Sequence, residues 1–169
     1  SYSKRSALLF EKVLQKTMGI PRTQMYTLID EKATSSVIKS TLKRVLRKVK
    51  KGDTIYFYYN GHGIPVPSEN NEPYLLSSDA EIEFIQDDKF FALKNIYKLL
   101  TDSKADNIVA FVDSCFSGGT DGKALLKGVA AARLVPKRVS FDRNKMAIIT
   151  AGQGRQYSNG YDKKGHRLF

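Results

Sequence analysis

The fold is decided by residues 54–63, which read TIYFYYNGHG. The first six are β-branched or aromatic and leave no polar face, which is typical of a central strand in a parallel sheet. Residues 60–63 then interrupt the run with asparagine and two glycines, and this predicts a turn that presents His62. A second run of this kind, residues 108–112 (IVAFV), leads into DSCFSGG and so to Cys115. Two buried strands are therefore each predicted to end at a chemically reactive side chain.

Outward from these strands, the chain alternates helix with strand. This order predicts an α/β fold, an α/β/α sandwich whose mostly parallel central sheet is flanked by helices. Apolar residues at helical spacing predict three helices: residues 4–18, a helix capped by Thr34 or Ser35, and residues 88–101. The remaining predicted elements are strands at residues 24–29, 74–76 and 146–150 and a polar, proline-rich loop at 64–73.

The composition indicates one globular domain. The chain has 169 residues, 41% of them hydrophobic, and no apolar run approaches the roughly 20 residues that span a bilayer, so no membrane partner is expected. Its one cysteine rules out an internal disulfide, which favours a reducing compartment such as the cytoplasm. We expect residues 1–169 to form a single domain that is incomplete at both ends.

The net charge of +11 leaves two interpretations open. It suits an acidic partner, and it equally suits solvated helix faces together with a basic loop. The basic residues fall in two segments and lack the interleaved aromatic residues that stack nucleic-acid bases. Nucleic acid is therefore not the expected partner.

His62 and Cys115 together predict nucleophilic chemistry. Taken singly, the histidine is explained as a turn residue and the cysteine as a buried strand end. Both, however, follow buried strands, where functional groups of open α/β sheets collect. An imidazole can activate a thiol near neutral pH. Cys115 also follows His62 by about 50 residues, the separation found in caspase-like peptidases.

These motifs resemble those of a known family. The stretch YFYYNGHG is similar to the histidine motif of metacaspases and bacterial orthocaspases, which are caspase-like cysteine peptidases, and DSCFSGG is similar to their cysteine motif. The stretches NEPYLLSSDA, AIITAGQGRQYS and GHRLF resemble further family segments in the same order. The chain departs from the family by lacking its first strand, and by having Phe116 where eukaryotic metacaspases usually have histidine.

The resemblance implies a cysteine endopeptidase with a dyad. Cys115 would be the nucleophile and His62 the proton-transfer residue, with the backbone N–H groups of Gly63 and Cys115 as the oxyanion hole. Asp113 matches the family's acidic residue on the floor of the S1 pocket, which implies cleavage of protein substrates after Arg or Lys. The alternative for Asp113 is a carboxylate that caps the turn.

Two features of activation also follow from the resemblance. Residues 119–145 occupy the place of a processing linker, and this basic stretch is either cut by the enzyme itself or remains an uncut surface loop. Calcium is a candidate cofactor, although the chemistry does not require one. Its candidate ligands are four residues whose carboxylates suit the ion: Asp79, Asp87, Asp88 and Asp121. For Asp87 and Asp88 the alternative is a helix start, which carboxylates favour.

A different class of function stays open beside these. A caspase-like domain without activity would use its basic faces to bind a protein or a nucleic acid. Because such inactive domains normally lack the cysteine or the histidine, and this chain has both, the peptidase is the favoured prediction.

Overall fold

The computed structural model describes residues 2–116 and 135–150, together with four short backbone segments; for Tyr2 and Cys115 the backbone alone is described. The helices are α1 (Tyr2–Met18), α2 (Ser35–Lys48) and α3 (Leu93–Thr101). The strands are β1 (Thr54–Val66), β2 (Glu72–Leu75), β3 (Asn107–Cys115), β4 (Gly119–Thr120), β5 (Lys123–Ala124), β6 (Met146–Thr150), β7 (Gly160–Tyr161) and β8 (His166–Arg167). Within this described part, no helix is both long and hydrophobic enough for a membrane span.

A four-stranded sheet in the order β2-β1-β3-β6 forms the centre of the fold. The pairs β1–β3 and β3–β6 are parallel, whereas β2 is antiparallel to β1. Helix α3 lies in the chain between β1 and β3, as a parallel crossover requires. This mostly parallel sheet with flanking helices confirms the predicted α/β class.

One strand changes its neighbour along its length. Residues 54–62 of β1 pair with β3, and residues 63–66 pair with β2. The last pair with β3 is His62 opposite Cys115, and the first pair with β2 is Gly63 opposite Leu75. The exchange of partner therefore falls on the single peptide between His62 and Gly63.

The hydrophobic core contains both strand and helix residues. Helix α3 directs four residues inward because apolar side chains recur at helical spacing: Leu93, Ile96, Tyr97 and Leu100. They belong to a buried cluster that also includes Ile64, Tyr74, Ile108, Ala110 and Val112. Helix α2 packs against this cluster with Ile38, Leu42 and Leu46. Its basic residues other than the half-buried Lys39 are exposed.

Helix α1 contacts the sheet through an aromatic cluster. The Phe10 ring stacks on Tyr58 with ring centroids 4.4 Å apart and meets Phe111 edge-on at 4.9 Å. Tyr58 and Phe111 are direct cross-strand partners, so α1 lies over the boundary between β1 and β3. By the alternation of strand residues, Asn60 and His62 belong to the same face of β1 as Tyr58.

The predicted turn at residues 60–63 is wrong, and the loop predicted over 64–73 is shorter than expected, since only residues 67–71 lie outside the strands. Strand β1 continues without a break to Val66, and β2 already begins at Glu72. Glycine and proline in the sequence indicated a turn, but β2 supplies a ladder where β3 ends. Tertiary pairing has therefore outweighed local propensity.

The predicted helix 4–18 and the Thr34 cap are confirmed. One predicted strand and the start of one predicted helix are not. Residues 25–29 belong to no strand and follow a short 3₁₀ turn, so the strand predicted at 24–29 is wrong. Helix α3 starts at Leu93 instead of residue 88 because Ala92 forms an antiparallel bridge with Tyr74, which holds it in extended geometry.

Candidate active site

His62 and Cys115 are Cα partners in the parallel ladder of β1 and β3. Cys115 is the last residue of β3, whereas β1 continues beyond His62. Parallel strands bring their carboxyl ends to the same edge of a sheet, which is where α/β proteins place functional groups. At the level of the main chain, the two predicted residues therefore lie side by side, and the His62 side chain is exposed.

Three successive cross-strand pairs share the face on which α1 lies. The aromatic pair Tyr58–Phe111 comes first, Asn60 opposite Asp113 comes next, and His62 opposite Cys115 ends the series. The series leads from a packed interior to an exposed histidine within five residues of β1. A crevice at this edge would have polar side chains directly below its reactive pair.

Asp113 is completely buried, with 0% of its surface exposed. The side-chain amide of Asn60 donates a 2.8 Å hydrogen bond to its Oδ2 atom and lies 3.1 Å from the Tyr58 hydroxyl. Among the described residues, Asn60 Oδ1 is buried and has no hydrogen-bond partner. The carboxylate is thus recessed and accepts a hydrogen bond from the neighbouring strand.

Asn60 is a site residue that the sequence analysis missed, because an asparagine before two glycines indicates a turn. A signal was present in the spacing. Asn60 precedes His62 by the same two positions by which Asp113 precedes Cys115, so two parallel strands in that register bring the pair together.

The glycines beside His62 are needed for space and not for a turn, since their φ angles are not in the left-handed region. A Cβ atom on Gly63 would lie 2.6 Å from Ser114 Oγ and 2.7 Å from Phe116 Cδ1. A Cβ atom on Gly61 would lie 2.7 Å from the Tyr59 hydroxyl oxygen. All three distances are shorter than side chains tolerate, so neighbouring residues fill the space at each glycine.

Two of the four predicted calcium ligands, Asp79 and Asp88, contact helix α2. Asp79 Oδ1 accepts a 2.7 Å hydrogen bond from the Ser35 N–H, and this bond, followed by one from the Ser77 side chain, lowers the pKa of Asp79. Asp88 Oδ2 accepts from Ser35 Oγ at 3.0 Å and from Lys39 Nζ at 2.6 Å. The Lys39 ammonium thus already neutralises one of the candidate ligands.

The fit of calcium to these donors is therefore poor. Within residues 2–116 and 135–150, no group of three His, Cys, Asp or Glu side chains could hold a metal ion. Asp121, the fourth candidate, lies outside the described residues. Asp87 is exposed at the end of a 3₁₀ turn. Calcium dependence stays a prediction.

The end of the predicted processing linker is anchored to the sheet. The Lys137 N–H donates a 2.9 Å hydrogen bond to the Asn71 carbonyl. Lys137 Nζ lies 3.8 Å and Lys94 Nζ 3.4 Å from Oε2 of Glu72, a carboxylate that is 1% exposed. Two half-exposed cations thus face one buried anion beside β2.

Lys145, which directly precedes β6, is anchored as well. Its Nζ donates to the carbonyls of Thr101 and Ser103 at 2.6 and 2.7 Å. The side chains of the more upstream basic residues lie outside the described part: Lys123, Lys127 and Arg133. Residues 135–145 are thus tied down at two lysines.

Comparison with known proteins agrees with this architecture. A family model described as a caspase domain matches residues 2–165. Among curated relatives, Metacaspase-9 of Arabidopsis thaliana is 28% identical over an alignment of 123 residues, and the match covers 66% of this chain and 36% of the relative. Metacaspase-7 of the same plant is 28% identical over 118 residues, 64% of this chain and 28% of the relative. The chain spans about a third of the length of these relatives.

Proposed function

The chain belongs to the caspase-domain family, and on that premise we propose that it is a cysteine endopeptidase with Cys115 as nucleophile and His62 as proton-transfer partner. The observation that carries the proposal is the ladder register, in which these two residues are opposite each other where β3 ends. A histidine next to a thiol favours the thiolate, which is the reactive form.

The reaction divides one difficult step into two. The Cys115 thiol gives its proton to His62 and its sulfur attacks the scissile carbonyl carbon. The C–N bond then breaks, and the leaving amine takes that proton from His62. A thioester to Cys115 remains. His62 then accepts a proton from water as the water oxygen attacks the thioester carbonyl, and the acid product leaves with the thiol restored.

The oxyanion formed in each step needs hydrogen-bond donors, for which we propose the backbone N–H groups of Gly63 and Cys115. The register supports Gly63: the Leu76 N–H donates to the His62 carbonyl at 3.0 Å, so that carbonyl points towards β2. In a planar trans peptide, the Gly63 N–H then points the opposite way, towards the side of β3. Loss of one such donor typically costs about 10²–10³ in rate.

We further propose that the peptidase cuts after Arg or Lys, with Asp113 as the acidic residue of the S1 pocket. A buried carboxylate on the same face as His62 supports this preference. Pairing with a guanidinium would offset the cost of keeping that charge away from water, whereas a substrate aspartate would be repelled.

The single cysteine makes a direct test possible. An arginyl chloromethylketone should alkylate the protein once, at Cys115, and abolish cleavage of arginyl peptides. Cys115→Ala should cleave nothing, while Ser114→Ala should keep activity, because the described Ser114 hydroxyl is buried without a partner and its loss disturbs little. Cleavage by Cys115→Ala, or equal alkylation by an aspartyl reagent, contradicts the proposal.

A binding module is the second candidate, favoured by the net charge and by the exposed basic residues of α2. It predicts that the protein folds normally and that its thiol does not react with the arginyl reagent. The reagent experiment therefore separates the two functions.

A further inference from the structure

The Tyr59 hydroxyl group contacts the main chain at the point where β1 changes partner. Its oxygen lies 2.5 Å from the His62 carbonyl oxygen and 2.9 Å from that of Leu76, and it accepts a 3.1 Å hydrogen bond from the Leu76 N–H. A hydroxyl has one proton, so it donates to one of the two carbonyls at a time. The Leu76 N–H also approaches the His62 carbonyl at 3.0 Å. One side chain thus connects the interior of β1 with the residue that follows β2.

Local geometry explains how the ring reaches this point. Tyr59 lies on the face of β1 opposite to His62, because strand residues alternate. Its ring extends along its own strand over Gly61, where a Cβ atom would lie 2.9 Å from the ring carbon Cζ. Glycine at position 61 therefore makes room for the tyrosine. Since Tyr59 lies on the other face, it acts on His62 through the backbone.

We propose that Tyr59 is a positioning residue of the active site, which fixes the orientation of the His62–Gly63 peptide through its hydroxyl group. The inference rests on the proposed function of that site. Because the peptide is planar, a bond to the His62 carbonyl also sets the direction of the Gly63 N–H, the proposed oxyanion donor. A bond accepted by the carbonyl also polarises the peptide and strengthens its N–H as a donor.

The test compares Tyr59→Phe with Tyr74→Phe. Each variant removes one hydroxyl and keeps the ring, and the Tyr74 hydroxyl bonds to Glu69 at 2.8 Å, away from His62. We expect Tyr59→Phe to lower kcat about five- to tenfold with KM changed less than about twofold, the pattern of a lost transition-state interaction. Tyr74→Phe should alter thermal stability alone. Equal kcat per folded molecule in both variants overturns the proposal.

A second measurement does not depend on catalysis. In ¹⁵N-labelled protein, Tyr59→Phe should shift the Gly63 amide resonance and speed its hydrogen exchange about fivefold, the size expected for one lost hydrogen bond. Tyr74→Phe should leave that amide unchanged, and an unchanged amide in Tyr59→Phe overturns the positioning role. If wild-type protein neither cleaves arginyl peptides nor reacts with the chloromethylketone, the proposed function fails. The resonance and the exchange rate of the Gly63 amide still test whether Tyr59 orients the His62–Gly63 peptide.

Discussion

The Asn60 amide and the Asp113 carboxylate form a 2.8 Å hydrogen bond across β1 and β3, one same-face pair before His62 and Cys115. The bond supplies a partner for an anion that solvent does not reach. Asn60 therefore stabilises the carboxylate at position 113, since a buried charge is costly unless it is hydrogen-bonded.

Replacement of Asn60 tests this requirement. Asn60→Ala should lower the free energy of unfolding by about 1–3 kcal/mol, because the buried Asp113 carboxylate loses a donor. Asn95→Ala is the matched control, since its amide bonds to the Lys89 carbonyl on the exposed surface. Urea unfolding measures both, and equal stability of Asn60→Ala and wild type contradicts the expectation.

The specificity proposal predicts a large effect of a small change at Asp113. Asp113→Asn retains the shape of the side chain and removes its charge. We expect kcat/KM for arginyl peptides to fall about 100-fold or more, because a charged pair in a recessed pocket becomes a neutral contact. A peptide library profiled with both proteins gives the measurement. A wild-type preference for aspartate, or an unchanged preference for arginine in the variant, refutes the assignment.

A methyl group at position 63 should destabilise the protein. Gly63→Ala places a Cβ atom against Ser114 Oγ and the Phe116 ring, and such overpacking costs about 1–3 kcal/mol. In a Phe116→Ala background, the added cost should fall by about half, because residues in contact are energetically coupled. Thermal unfolding of the four proteins of this cycle measures the coupling, and strict additivity would exclude the contact as the cause.

The lowered pKa of Asp79 predicts a pH dependence. A carboxyl group with a folded-state pKa below its unfolded value adds stability above the unfolded pKa and loses it as the pH falls through the folded pKa. The excess stability of wild type over Asp79→Asn should therefore be largest near neutral pH and should fade below about pH 4. Urea unfolding at a series of pH values checks the sign; an excess that grows in acid contradicts it.

The two anchored lysines restrict where self-cleavage can occur. Lys137 and Lys145 hold their side chains against the folded domain, whereas a substrate must be extended. These tethers hold both ends of a segment that also contains the exposed Arg138 and Arg143. Any self-cleavage should therefore occur upstream of residue 135, after Lys123, Lys127 or Arg133. Mass spectrometry of wild type and Cys115→Ala will detect it, and a cut after Lys137 or Lys145 in wild type alone contradicts the prediction. An uncut wild-type chain favours the surface loop.

The sequence was sufficient to predict the strands that contain the reactive pair, because local composition determines them. Runs such as residues 54–59 and 108–112 have few alternatives to a buried strand. The continuation of β1 to Val66 was not predictable in this way, since it depends on pairing with β2. The burial of Asp113 and the contacts of Tyr59 were not predictable for the same reason. They depend on residues that are distant in sequence and that the sheet brings together.

The change of partner between His62 and Gly63 has a consequence for how this chain can vary in length during evolution. Insertions after β3 or in the hairpin between β1 and β2 fall outside the ladder that aligns position 62 with position 115. A deletion of one residue inside β3 would instead transfer Cys115 to the opposite face of the sheet. Homologous chains should therefore accept insertions in these connections and almost never within residues 54–62 or 107–115, which form the ladder.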